Sequence, residues 1–266
     1  MAAKTGYARV DDLDLYYEIH GAGHPLVLLH GAYMTIDMMA PLLEPLARQR
    51  QVIGVELRGH GRTGDADRPF SYELMADDVA GLLRALDVPS ADVLGYSMGG
   101  GAALQLAIRH PELVRKLVVV SAGYRYDAMP PEALAMFPTI TPELFAGTPM
   151  ETEYQRLSPH PERFPEFVEK LKTLDTTTFA WPEEDIRGIP APMLIVLGDS
   201  DGVTLEHAVQ MFKLRGGGVM GDLAGMPASQ LAVLPGTSHF VPPGSGMLDR
   251  AEWLVAMIPP FLDAPL

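Results

Sequence analysis

Short apolar runs recur along this chain, and most are separated by stretches long enough for one helix. Tyr7–Val10 and Leu13–Ile19 flank the Asp11-Asp12 pair, a pattern that predicts a hairpin. Leu26–Leu29, Val52–Val55, Ala91–Leu94, Leu117–Val120, Met193–Leu197 and Leu231–Pro235 are mostly apolar and too short for helices. Such runs predict strands covered on both faces. Between them the period lengthens. Leu74, Met75, Val79, Leu82, Leu83 and Leu86 repeat at helical spacing and predict a helix over Tyr72–Leu86. Met38–Arg48 and Ala102–Ile108 also read as helices, and a last one is expected over Leu248–Leu262, ending near Pro259-Pro260. The alternation predicts an α/β fold: a mostly parallel sheet flanked by helices.

Two stretches break the rhythm. From Tyr124 to Arg187 prolines are frequent, and Met129, Met136, Phe137, Phe145, Phe164, Phe167, Leu171 and Leu174 supply apolar surface for short helices. From Gly216 to Ser229 the chain is glycine-rich and reads as a loop.

The chemistry concentrates at the ends of predicted strands. Gly95-Tyr96-Ser97-Met98-Gly99 follows one apolar run and precedes a helix of small residues. This is the G-x-S-x-G pattern in its strand–turn–helix setting. A serine at so sharp a turn has its hydroxyl pushed into the open, and the glycines leave no Cβ to collide across the turn. The Met98 N–H, one residue past the serine at a helix N-terminus, is placed to stabilise an oxyanion. Downstream, Met193–Leu197 runs into Gly198-Asp199-Ser200-Asp201, and Leu231–Pro235 runs into Gly236-Thr237-Ser238-His239. A base and an acid therefore follow the serine, with Asp199 and Asp201 both available as the acid. Other histidines read as supports: His30 and His60 lie in strand-end loops and are expected to bind loop backbone, and His207 is expected on the surface of a helix after Thr204.

With these motifs, together with Leu28-Leu29-His30-Gly31 and Arg58-Gly59-His60-Gly61, the chain resembles the α/β-hydrolase fold superfamily, in its branch of small esterase-like and cofactor-free haloperoxidase-like proteins. The resemblance implies an α/β-hydrolase sheet formed by residues 1–123 and 188–266, with a helical cap over 124–187 inserted after the sixth strand. It implies Ser97 as nucleophile, His239 as base and Asp201, rather than Asp199, as the acid. The second oxyanion donor maps to Ala32, after the His-Gly pair. Tyr33 and Tyr96 are expected to border the substrate, with Met136 and Phe137 reaching it from the cap. A serine at the elbow argues against haloalkane dehalogenase and epoxide hydrolase, which use a carboxylate there. Tyr96 stands where carbon–carbon bond hydrolases usually carry Asn.

Composition narrows the field. The 266 residues carry a formal net charge of −14 without a basic stripe, which argues against nucleic-acid binding. No run of apolar residues is long enough for a membrane span, so a cytoplasmic location and no membrane partner are expected. With no cysteine, a thiol nucleophile and disulfides are excluded. No histidine pair has metal-ligand spacing, so neither a metal nor another cofactor is expected. The expected activity is cleavage of a carboxylic ester of a small or medium apolar molecule through an acyl-enzyme. Lactonase, thioesterase, perhydrolase and carbon–carbon bond hydrolase use the same three side chains. A ligand receptor on the same scaffold is the alternative of another class, and turnover distinguishes it.

Overall fold

The computed structural model describes residues 3–240 and 243–265. Its centre is an eight-stranded sheet: β1 (Lys4–Val10), β2 (Leu13–Gly21), β3 (Pro25–Leu29), β4 (Gln51–Val55), β5 (Ala91–Tyr96), β6 (Val114–Val120), β7 (Met193–Ser200) and β8 (Gln230–Ser238). Their order across the sheet is β1-β2-β4-β3-β5-β6-β7-β8. β2 pairs antiparallel with both β1 and β4, and every later pairing is parallel. The mostly parallel sheet predicted from the apolar runs is thus present, and the Asp11-Asp12 turn joins the β1–β2 hairpin.

Helices cover both faces because each central strand is apolar on both sides. On one face α1 (Ala40–Leu46) and α10 (Ala251–Asp263) pack Leu42, Leu46, Leu254 and Ile258 against Leu26, Leu28, Leu94, Val118 and Val196. On the other, α2 (Tyr72–Ala85) and α3 (Met98–Arg109) pack Val79, Leu83, Leu104 and Leu106 against Val27, Leu29, Val93 and Val119. Alternate residues of one strand thus serve opposite cores, as a period of two requires.

Between β6 and β7 the chain leaves the sheet. It passes through α4 (Pro131–Met136), α5 (Pro149–Leu157), α6 (Phe164–Thr176) and α7 (Glu183–Gly188), with short 3₁₀ turns between them. The excursion has a closed neck: the Tyr126 N–H donates to the Phe179 carbonyl at 2.8 Å, and the Trp181 N–H to that of Tyr124 at 3.1 Å. Phe164, Phe167, Leu171 and Leu174 of α6 are buried.

Three expectations need correction. The last helix, expected from Leu248, begins at Ala251, and its final turn runs past Pro259-Pro260 to Asp263. Burial of Phe261 and Leu262 holds this turn, and Lys116 and Arg115 donate to the carbonyls of Phe261 and Leu262 at 2.9 and 2.8 Å. These cations satisfy carbonyls that have no intrahelical donor at the helix C-terminus and suit its dipole. The glycine-rich stretch after α8 (Leu205–Leu214) is not loop throughout; it holds a single-turn helix, α9 (Gly221–Ala224). His207 is buried rather than on the surface. Its ring stacks near Tyr124 and its Nε2 accepts the Tyr124 N–H at 3.2 Å, so the side chain pins the chain just past β6. Among the described residues, no helix is long and apolar enough to cross a membrane.

Candidate active site

Ser97 sits between β5 and α3 with φ 54° and ψ −119°, a conformation costly for a residue with a Cβ. The close approach of strand and helix forces it. A Cβ on Gly95 would strike the Gly99 carbonyl, and one on Gly99 would strike the carbonyls of Leu29 and His30. The helix start and the end of β3 therefore leave no room for a side chain at either glycine. Two other non-glycine residues beside this turn share a positive φ, Tyr33 at 61° and Ser121 at 54°.

The structure brings Ser97, His239 and Asp201 into one hydrogen-bonded chain. The Ser97 Oγ lies 2.9 Å from His239 Nε2, and His239 Nδ1 lies 2.8 Å from Asp201 Oδ1. Asp201 is the carboxylate that meets the imidazole. Asp199 instead accepts the Gly236 and Thr237 N–H groups at 2.9 and 3.2 Å, shaping the loop that carries His239. Burial works to raise Asp201, but hydrogen bonds from His239, Gly198 and Ser121, together with the histidine's charge, outweigh it and hold the carboxyl below its ordinary range. Ser121, which the sequence reading did not single out, donates its hydroxyl to Asp201 Oδ2 at 2.5 Å, and the Gly198 N–H donates to the same oxygen at 3.0 Å.

Tyr96 is nearly fully buried and serves His239 from behind. Its ring stacks on the imidazole at 5.5 Å, and its hydroxyl donates to the His239 carbonyl at 2.7 Å. The sequence expectation placed this side chain against substrate; its hydroxyl is committed to the histidine backbone instead, although the residue also lines the cavity.

The loop after β3 is held by two histidines. His30 Nε2 accepts the Leu57 N–H at 3.1 Å, and His60 Nε2 accepts the Tyr33 N–H at 3.3 Å. Their rings lie 4.9 Å apart. Burial pushes His30 down to about 4; burial and the neighbouring His30 push His60 well below the ordinary value. Both rings are therefore neutral at pH 7, as acceptors of backbone N–H groups must be. Ala32 lies in this loop, and Met98 opens α3, where an N–H has no partner within its own helix.

A cavity of about 320 Å³ joins these parts, within the size range of ligand pockets. Ser97, His239, Ala32 and Met98 border it from the sheet side, and Met136 and Phe137 from α4 and the turn after it. Tyr33 lines it too, with its ring 4.5 Å from Phe145 and its hydroxyl buried without a hydrogen-bond partner among the described residues. The sequence reading missed Asp175, a carboxyl group in this wall. Its signal was available: Phe164, Phe167, Leu171 and Leu174 set an apolar stripe along α6, and Asp175 falls on it where periodicity calls for an apolar residue.

A strand–turn–helix serine, a histidine and a carboxylate, each past the carboxyl end of a parallel strand, define a hydrolase-type α/β fold. The sequence profile of the alpha/beta hydrolase fold family matches residues 24–175, and the chain belongs to this family. It is 42% identical over 121 residues to a putative carbamate hydrolase RutD of Azorhizobium caulinodans, covering 46% of each chain. It is 40% identical over 111 residues to a 2-hydroxymuconate semialdehyde hydrolase of Pseudomonas sp. strain CF600, covering 40% of this chain and 39% of that protein. The chain thus spans less than half the length of these curated relatives in the matched regions. Among solved structures it is similar to Est816, described as an N-acyl homoserine lactone degrading enzyme, with a TM-score of 0.73, 27% identity, and 96% and 99% of the two chains covered.

Proposed function

We propose that the protein is a serine hydrolase that cleaves a carboxylic ester of a small or medium, largely apolar molecule. The observation that carries this reading is the continuous hydrogen-bonded path from Ser97 through His239 to Asp201 at the floor of the cavity. Ser97 Oγ attacks the ester carbonyl while His239 Nε2 takes its proton. The oxyanion is met by the Ala32 and Met98 N–H groups; one such donor contributes about 2.7–4 kcal/mol in a dry site. His239 returns the proton to the leaving alcohol, and the acyl group stays on Ser97. A water that gives its proton to His239 then releases the acid. Asp201 keeps the imidazole in the tautomer that presents an unprotonated Nε2 to the serine and stabilises the cation that forms. Ser121 and the Gly198 N–H fix the Asp201 carboxylate and keep it ionised.

Residues 124–187 act in this reading as the cap, shaping the cavity and keeping bulk water from the acyl-enzyme. The relatives act, by their names, on carbamates, on a semialdehyde and on lactones. Attack on a carbonyl carbon can serve all of these, so lactones and thioesters belong in the same substrate panel.

The test is active-site titration with a panel of p-nitrophenyl esters, lactones and thioesters, alongside a fluorophosphonate probe. Wild type should turn over at least one class and be labelled at Ser97. Ser97→Ala should lose labelling and about 10⁵–10⁶-fold in kcat while melting as wild type does. Full turnover by a folded Ser97→Ala protein would end this reading. One slow, stoichiometric cleavage event per chain would favour a receptor on a hydrolase scaffold.

A further inference from the structure

The cavity wall contains one feature that hydrolysis of an apolar ester does not use. Asp175 lies in the last turn of α6 and lines the same cavity as Ser97 and His239. Among the described residues, neither a cation nor a hydrogen-bond donor pairs with its carboxyl group. Arg125 also lines the cavity, but its guanidinium is taken by Asp127 through hydrogen bonds of 2.8 and 2.5 Å. The position is unfavourable on two counts. Burial pushes the Asp175 carboxyl up to about 7, with His239 pulling it the other way. The C-terminal end of a helix is also the wrong end for a negative charge. An asparagine or leucine here would be easier to bury.

The surroundings say what would offset that cost. Tyr33, Tyr72 and Phe179 line the cavity with Asp175. Tyr72 packs 5.2 Å from Phe179. Burial raises the hydroxyls of Tyr33 and Tyr72, and the Asp175 charge raises both further, so the carboxyl and these rings share one environment. A carboxylate beside several aromatic rings suits a cation. Its charge neutralises the acid, and its substituents rest against negative ring faces. A neutral chain would leave the carboxyl unpaired in a drying site, and a hydroxyl would supply one hydrogen bond without relieving the charge.

We propose that Asp175 anchors an ammonium group of the substrate, so that the cavity selects esters carrying a cationic amine over their neutral isosteres. This rests, for turnover but not for binding, on the reading of Ser97 as nucleophile.

The experiment uses three matched esters, ending in a dimethylammonio group, an isopropyl group of the same shape, or a hydroxyl, with the variable end placed on either the acyl or the alcohol side. Calorimetry on the full-length Ser97→Ala protein at pH 8 measures binding without cleavage. The ammonium ester should bind roughly tenfold or more tighter than the isopropyl ester on at least one side. Asp175→Asn and Asp175→Leu, each made in the Ser97→Ala background, should abolish that ratio, and Asp175→Glu should keep part of it. In wild type, kcat/KM should follow the same order. Equal binding of the ammonium and isopropyl esters, an equal preference for the hydroxyl ester, or a preference that survives both Asp175→Asn and Asp175→Leu would overturn the proposal. Turnover of all three esters without discrimination would also overturn it while leaving the hydrolase reading intact. Discrimination in binding with no turnover of any ester would support the anchor and remove the hydrolase reading instead.

Discussion

The loops at the carboxyl end of the sheet and the helical excursion between β6 and β7 meet at one cavity but are built in different ways. In the sheet loops the groups that meet Ser97 are tied down by hydrogen bonds: Asp201 by His239, Ser121 and the Gly198 and Val203 N–H groups, the His239 carbonyl by Tyr96, and the loop after β3 by two neutral histidines. In the excursion, most cavity-lining side chains are apolar, its helices reach the rest of the chain through ion pairs such as Arg156–Asp37 and Arg163–Asp67, and Met136 remains 56% exposed. In the proposed reading, chemistry that depends on tenths of an ångström falls on the side fixed by hydrogen bonds, and recognition that depends on volume and charge falls on the excursion. Substitutions on the two sides should therefore differ in kind as well as in size.

The sharpest test on the hydrogen-bonded side is the pair of aspartates. Asp201→Asn should lower kcat by about 10⁴-fold, because the imidazole loses the acceptor that fixes its tautomer. Asp199→Asn should cost about tenfold or less, acting through the Gly236-Thr237 turn. Steady-state kinetics on the two variants checks this; the reverse ranking would move the acid's role to Asp199. On the excursion, Met136→Ala and Phe137→Ala should shift acyl-length preference by about 1–3 kcal/mol per methylene-sized contact. A flat profile of kcat/KM against chain length in both variants would separate the excursion from substrate choice.

The smallest effect concerns stability. The Asp175 carboxyl is raised to about 7 in the folded protein, so the native state holds its proton more tightly than the unfolded chain does. Stability from this group is fully present below the unfolded value of about 3.9 and is lost as pH rises toward 7. Asp175→Asn should therefore raise Tm by a few degrees at pH 8 and by much less at pH 5. Differential scanning fluorimetry at the two pH values reads this directly. An equal shift at both would mean that the carboxyl is not strained by its surroundings.

Much of the hydrogen-bonded side was legible because its signals are local. Apolar runs of four or five residues located the strands, and Gly95, Ser97 and Gly99 in five positions marked the turn. Asp201 and His239 each lay just past a strand. What stayed hidden depends on packing between distant segments. Ser121 looks like any serine after Val120 until β7 brings Asp201 beside it. His207 follows Thr204 in an ordinary helix start, yet its ring is drawn under Tyr124. The final helix runs past two prolines, and Arg115 and Lys116, more than 140 positions earlier, satisfy its last carbonyls. Asp175 is an intermediate case, visible as a break in a periodic stripe but interpretable only once the cavity is seen.

The neck formed by Tyr124, Tyr126, Phe179 and Trp181 has a consequence for how such a chain can diversify. Because the excursion leaves and returns through backbone paired at Tyr124–Tyr126 and Phe179–Trp181, its contents can lengthen, shorten or be exchanged without shifting the register of β6 against β7. Loop-closure entropy penalises such changes only weakly, about 0.6 kcal/mol for each doubling of length. The elbow has no comparable freedom, since a Cβ on Gly95 or Gly99 would strike neighbouring backbone. Lineages built on this plan would explore new substrates by rewriting one module while the reaction itself stays fixed, and a graft made between positions 125 and 180 would follow the same seam.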